Sequence, residues 1–262
     1  MRTPGPAFDL RAALSKELRA AIDELASVQS DAKAVHRCRV RVKRARALAR
    51  IGRACAPGLS SVFIGSTRAL MRNLALTRDS ASLCEAARAA AKKSGKHLAS
   101  TFDTVVVGIE AAAASQPGLN PDAARAALKD LLALAQVWPE ASHRQIRQGA
   151  KRLRRRAQRA RRHGAQSADP LLRHDWRSRE KDRFYAAALL GDFWPGKRRR
   201  RVGAKIGEAL GAERDALLLM ERLAAEPELA GKHDDMARTL KKLNRRRSKF
   251  ARRADALAQR LK

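Results

Sequence analysis

Along almost the whole chain apolar residues recur at intervals of three and four, and β-branched runs are rare apart from Val105 to Val107, so helices alone are predicted. Pro57-Gly58, Ser94-Gly95, Pro117-Gly118 with Pro121, Pro139, Gly164 to Pro170, Pro195-Gly196 and Gly231 break that pattern. They divide the chain into ten expected helices, at about residues 7–28, 32–54, 59–78, 80–93, 97–114, 121–138, 140–163, 169–191, 197–225 and 232–262. Short loops between most of them favour antiparallel neighbours. A chain of 262 residues with 45% hydrophobic content can bury a full core. No apolar run approaches the ~18 residues of a membrane span. Charged residues are spread through the first thirty positions, which leaves no apolar core for a signal peptide, so a cytoplasmic protein is expected. Cys38, Cys55 and Cys84 lack C-x-x-C spacing and read as small buried hydrophobes rather than disulfides or zinc ligands.

The charge balance points to a partner class. Lys and Arg number 57 against 26 Asp and Glu, a net charge of +31 that makes a compact chain repel itself unless an anion accompanies it. A polyanion is the expected partner. Six Phe, three Trp and one Tyr are too few and scattered to stack bases, so nucleic acid is the alternative rather than the first choice.

An internal repeat organises the chain. His36, Arg39 and Lys43 follow the pattern H-x-x-R-x-x-x-K, and His174, Arg177 and Lys181 follow it again. Downstream of each histidine an Arg-Asp pair sits inside an apolar helix, Arg78-Asp79 in one half and Arg214-Asp215 in the other. Two similar helical halves, 7–138 and 140–262, explain both coincidences. Asp79 either caps the helix that follows it or, like Asp215, orients a neighbouring guanidinium.

On a helical wheel His36, Arg39, Lys43, Arg46, Arg50 and Arg53 share an arc of about 100°. Cys38, Val42, Ala45 and Ala49 lie on one side of this stripe, and Val40, Ala47 and Ile51 lie on the other. A solvated face would sit opposite a single apolar face, so this stripe is expected in a groove flanked by packed helices. Arg37, Arg41 and Arg44 read as the ordinary solvated face of the same helix. Residues 36–53 contain no acid, so the stripe's neutralising charge has to come from elsewhere. The helix near 140–163 carries ten basic residues and no acid between Arg144 and Arg162. Its apolar face is Ile146, Ala150, Leu153, Ala157 and Ala160, bordered by the groove candidates Arg147, Lys151, Arg154 and Arg161, with Arg152, Arg156 and Arg159 pointing away.

Catalytic and metal chemistry find no support in these patterns. No acid or cysteine stands three or four residues after His36, and H-E-x-x-H and G-x-x-x-x-G-K-[ST] are both absent. No cofactor motif occurs, and no pattern sets an oligomeric state. His97, His143, His163 and His233 read as solitary surface or helix-end residues.

V-H-x-x-R-V-x-x-K-R-x-R at residues 35–46, R-H-D-W-R-S-R-E-K-D-x-F-Y at 173–185, F-W-P at 193–195 and L-G-x-x-x-D at 210–215 resemble the CHAD domain, the conserved histidine α-helical domain. The resemblance spans about residues 8–260. It implies an all-α fold of two tandem antiparallel four-helix bundles, with a basic groove or pore between them, that binds inorganic polyphosphate without being an enzyme. It also implies a place on polyphosphate granules for some members. Residues carried over by motif are His36, Arg39, Lys43, Arg44 and Arg46 in the first half and His174, Arg177 and Lys181 in the second. A phosphate homopolymer has no sequence to read, so an Arg-rich lining that donates in forks to phosphate oxygens suffices.

Overall fold

The computed structural model describes residues 8–27, 33–74, 76–115, 119–197, 199–230 and 233–261. Among these the chain is helical throughout, with ten α-helices, two 3-10 turns and no strand. In order they are α1 (Leu10–Ala26), α2 (Ala34–Gly52), α3 (Pro57–Asn73), α4 (Leu76–Ala91), α5 (Lys96–Ala114), α6 (Pro121–Gln136), α7 (His143–Gly164), α8 (Pro170–Leu190), α9 (Arg200–Ala225) and α10 (His233–Gln259). No helix among the described residues is long and apolar enough to cross a membrane.

Local chemistry sets several boundaries. The Asp9 carboxylate accepts from the Ala12 amide at 2.8 Å and caps α1. Asn120 does the same for α6 through the Ala123 amide at 3.0 Å, with Pro121 in the first turn where its missing N–H costs nothing. α8 stops where Gly191 turns into the left-handed region at φ +54°, a conformation that favours glycine. One boundary departs from the sequence reading. α4 begins at Leu76 rather than near residue 80, so Asp79 lies inside that helix and is not its cap. The side chains of residues 76–79 lie outside the described set, and with them the orienting role expected of Asp79.

The chain folds into two compact units that do not coincide with the sequential halves 7–138 and 140–262. One unit gathers α1, α2, α3, α6, most of α7 and α8 from Ser178 onward. The other gathers α4, α5, α8 up to Arg177, nearly all of α9, and α10. The apolar surfaces dictate this exchange. In the second unit Cys84, Phe102, Val105 and Ile109 of α4 and α5 share a core with Leu219, Leu223 and Leu243 of α9 and α10. In the first, α2 and α3 share theirs with α6, α7 and α8, through Leu48, Phe63, Leu128, Ile146 and Ala187. Each fully buried Leu or Phe contributes about 1.5–3 kcal/mol of transfer free energy, so the repeat's sequence boundary yields to the better burial.

Close approaches fix α2. A Cβ on Gly149 of α7 would lie 2.2 Å from the Ile51 carbonyl oxygen, and one on Gly52 would lie 2.6 Å from the Trp138 ring. Only glycine lets these backbones meet. Phe63 packs edge-on to Trp138 with ring centroids 5.8 Å apart, and the Trp138 carbonyl accepts from Arg11 Nε at 2.9 Å.

Candidate functional site

Both apolar flanks of the α2 stripe are buried. Cys38, Val42, Ala45, Ala47, Ala49 and Ile51 are wholly enclosed, so the cations between them emerge among packed neighbours rather than onto an open face. Burial pushes the Cys38 thiol up to about 12, which makes it inert packing. The stripe's members differ in what they do. His36 is exposed in the first turn, and Lys43 is half-buried. Arg39 is buried and donates to the Met71 carbonyl at the end of α3 at 3.1 Å, which ties α2 to α3.

Arg46 and Arg50 are half-buried further along the same stripe. Arg50 donates to Asp182 of α8 at 2.8 Å, with the two side chains 12% and 6% exposed. Burial still drives the Arg50 guanidinium down to about 10; Asp182 opposes that, while Arg46, Arg179 and Arg68 add to it. Arg46 is lowered in the same way, chiefly by burial, with Asp182 opposing and Arg68 and Arg179 reinforcing. Both remain protonated at neutral pH, so the depression measures how poorly the site solvates its own cations. The Arg46 Nε is shut off from solvent and has no hydrogen-bond partner among the described residues. Asp182 of α8 and the guanidiniums of Arg68 on α3 and Arg179 on α8 therefore act together on Arg46 and Arg50.

Arg37, Arg41 and Arg44 are not a solvated face. Arg37 pairs with Glu24 of α1; Arg41 reaches Glu17 Oε2 at 3.4 Å and Arg44 reaches Glu17 Oε1 at 2.8 Å. The Glu17 side chain is only 3% exposed. These three arginines fasten α2 to α1, and Arg44, carried over from the resemblance as a ligand, is committed to that bridge. The wheel read them as a solvated face because it could not see the acids facing them from α1.

On α7 the face Ile146, Ala150, Leu153, Ala157 and Ala160 is buried as read, and Arg152, Arg156 and Arg159 are exposed. Arg147, Lys151 and Arg154 are exposed as well, and Arg154 donates to the Pro195 carbonyl at 3.0 Å. Arg161 is half-buried and lowered by burial, opposed by Glu180 and reinforced by Arg199, Arg162 and Arg183. Glu180 in turn is enclosed with Arg183, whose guanidinium it accepts from at 2.5 Å.

In the second unit His174 is exposed and lies beside Arg214 of α9. Its pKa is lowered from 6.5 by burial of the ring, then by Arg214 and Arg177, with Asp175 opposing. Arg177 lies over Gly211 of α9, where an added Cβ would come within 3.5 Å of its Nη2. Lys181, four residues beyond Arg177 on the same helix, is half-buried. Asp215 is half-buried. Arg173, one residue before His174, is a structural hub: both Glu213 oxygens, at 2.5 and 2.8 Å, and Asp255, at 3.0 Å, accept from it. Burial alone would lower its pKa, but these bonds outweigh it and raise it. His97 is not solitary, since its Nε2 meets Asp235 Oδ1 at 2.7 Å.

Sequence reasoning missed Arg68, Arg179 and Asp182. Arg179 and Asp182 stood in plain view in the second motif, two residues beyond Arg177 and one beyond Lys181. Their partners on α2 are too distant in sequence for any spacing rule.

The fold defines an all-helical protein that carries a repeated His-Arg-Lys motif on α2 and α8. The CHAD domain family model matches residues 12–206, about three quarters of the chain, and the protein belongs to that family, one associated with polyphosphate binding. A comparison with curated proteins finds no match.

Proposed function

We propose that the protein binds inorganic polyphosphate and does no chemistry on it, and that such binding draws it to polyphosphate granules. The observation that carries this reading is the Asp182 cluster. Arg46 and Arg50 pay for their burial and feel Arg68 and Arg179 as like charges, so the negative charge of a phosphate chain is favoured there. Guanidiniums from three helices present donors in several directions, which suits a flexible chain of repeating phosphates better than a base edge. His36, Lys43, Arg147 and Lys151 extend the basic surface of the first unit. His174 and Arg177 form the corresponding station of the second. The test is competition at equal phosphate concentration and physiological salt, where loose backbone contacts weaken steeply. Long-chain polyphosphate is expected to displace duplex DNA, and equal affinity would sink the reading. Release of orthophosphate by the purified protein would refute the non-enzymatic part.

One observation favours a second reading, docking on a nucleic-acid backbone. Arg238, Lys241, Arg245, Lys249 and Arg253 are all exposed on α10, and no acid stands between the first and last of them. Their i,i+4 repulsion costs the helix a few tenths of a kcal/mol per pair, roughly 0.2–0.5, which a bound polyanion relieves. DNA winning the same competition supports this reading instead.

A further inference from the structure

The second unit holds a cleft of about 270 Å³ whose walls come from α8, α9, α10 and the turn before α8. Most of its lining lies beyond the segment that matches the family, since α10 and the cleft-lining part of α9 follow residue 206. The cleft is smaller than the ~300–1,000 Å³ of sites for drug-sized ligands, and suits a small polar group.

Its charge is organised in two layers. Arg173, 7% exposed, is held by both Glu213 oxygens and by Asp255, whose Oδ1 also accepts from the Gln166 amide at 3.2 Å. Arg214, Arg247 and Arg252 also line the cleft, and among the described residues none of the three has a carboxylate or carbonyl partner. Three guanidiniums in front of a hub that is one charge negative leave the cleft two charges positive. That complements a dianion.

The α2 stripe is different. It contains no acid over residues 36–53, so a polymer of monoanionic units can lie along it. The cleft lining includes Glu213 and Asp255 beside its arginines, so its net charge matches one group of concentrated negative charge better than a run of single charges. A terminal phosphate carries about 1.5–2 negative charges at neutral pH and three oxygens for forked donors, whereas an internal phosphate carries about one charge.

The geometry points to this cleft as a site for a terminal, dianionic phosphate, held by Arg214, Arg247 and Arg252 with His174 at its edge. The inference rests on the polyphosphate reading for its first source of such ends, the chain termini of the polymer. A nucleoside diphosphate presents the same chemistry.

The experiment compares linear tripolyphosphate with cyclic tetrametaphosphate by calorimetry on the whole protein. Each carries about four negative charges near neutral pH, but only the linear compound has terminal phosphates. Linear tripolyphosphate is expected to bind at least about tenfold more tightly. In the Arg247→Gln, Arg252→Gln double variant the ratio is expected to fall to about one. Equal affinity of the two compounds for the parent protein, or a ratio that the double variant preserves, would overturn the site. If the double variant does not fold, Arg247→Gln alone reads the same ratio. Adenosine diphosphate is the third probe. Binding as tight as tripolyphosphate, lost in the same variant, supports the terminal-phosphate site and extends it to nucleotides; binding as weak as the cyclic compound supports it for polyphosphate ends. Long-chain polyphosphate is titrated in parallel. If it fails to bind the parent, the proposed function falls, whereas binding of the long chain with no linear preference removes only the end site.

Discussion

Asp182 on α8 and Arg50 on α2, 132 residues apart, form an ion pair of 2.8 Å that is nearly closed to solvent. The Asp182 charge favours the protonated form of Arg46 as well as that of Arg50.

Replacing Asp182 with Asn is therefore expected to destabilise the protein by about 3–5 kcal/mol, because a buried guanidinium loses its partner while the like charges of Arg46, Arg68 and Arg179 remain. Urea denaturation measures this. Added polyphosphate is expected to restore more stability to the variant than to the parent, since the ligand then supplies the missing charge. A variant as stable as the parent would show that Arg46 and Arg50 do not depend on Asp182.

The two sides of α2 give a matched comparison. Arg46→Gln with Arg179→Gln removes two cations from the Asp182 cluster and is expected to weaken polyphosphate binding by about tenfold or more, with stability unchanged or slightly raised. Arg41→Gln with Arg44→Gln removes the same charge but orphans Glu17. Polyphosphate affinity is then expected to change by less than about threefold, while stability drops by roughly 2 kcal/mol, below the ~3–5 of a fully buried pair because these arginines are a third exposed. Equal losses of affinity in both pairs, measured by calorimetry, would mean that diffuse charge holds the ligand.

The helix count was legible because proline and glycine punctuate the chain. The two-sided burial of α2 was legible because alanine and valine flank its cations on the wheel. What no local pattern revealed was which helix faces which. Glu17 neutralises Arg41 and Arg44 from α1, Asp182 neutralises Arg50 from α8, and α4 and α5 join α9 and α10 instead of α3. Each depends on the packing of long-range apolar surfaces, which periodicity within a helix does not encode. Arg44 shows the consequence, since motif matching named it a ligand without showing that Glu17 faces it from α1.

Backbone contact between α2 and α7 can be tested at one atom. Gly149→Ala would place a Cβ 2.2 Å from the Ile51 carbonyl oxygen, so the helices must separate, at an expected cost of about 1–3 kcal/mol or more. Gly65→Ala on the exposed side of α3 meets nothing within 4 Å and is expected to stabilise by up to about 1 kcal/mol through helix propensity. Thermal denaturation of the two variants checks both signs, and a tolerated Gly149→Ala would contradict the close crossing.

His174 makes binding depend on pH. In the unliganded protein its pKa lies below 6.5, because burial and the guanidiniums of Arg214 and Arg177 disfavour the imidazolium more than Asp175 favours it. Arg247 and Arg252 from α10 line the same cleft, with Glu213 and Asp255 engaged by Arg173. A bound polyanion reverses the field at the ring and raises the pKa. Binding then takes up a proton in the window between the lowered value and the raised one, so affinity strengthens as pH falls through that window and is flat above it. Long-chain polyphosphate is the probe, and because its terminal groups titrate alike against parent and variant, the difference between the two curves reads His174. Affinity measured from pH 8 to about 5.5 is expected to rise more steeply for the parent than for His174→Gln. A parent curve no steeper than the variant's would remove His174 from the site and leave the arginine assignments standing.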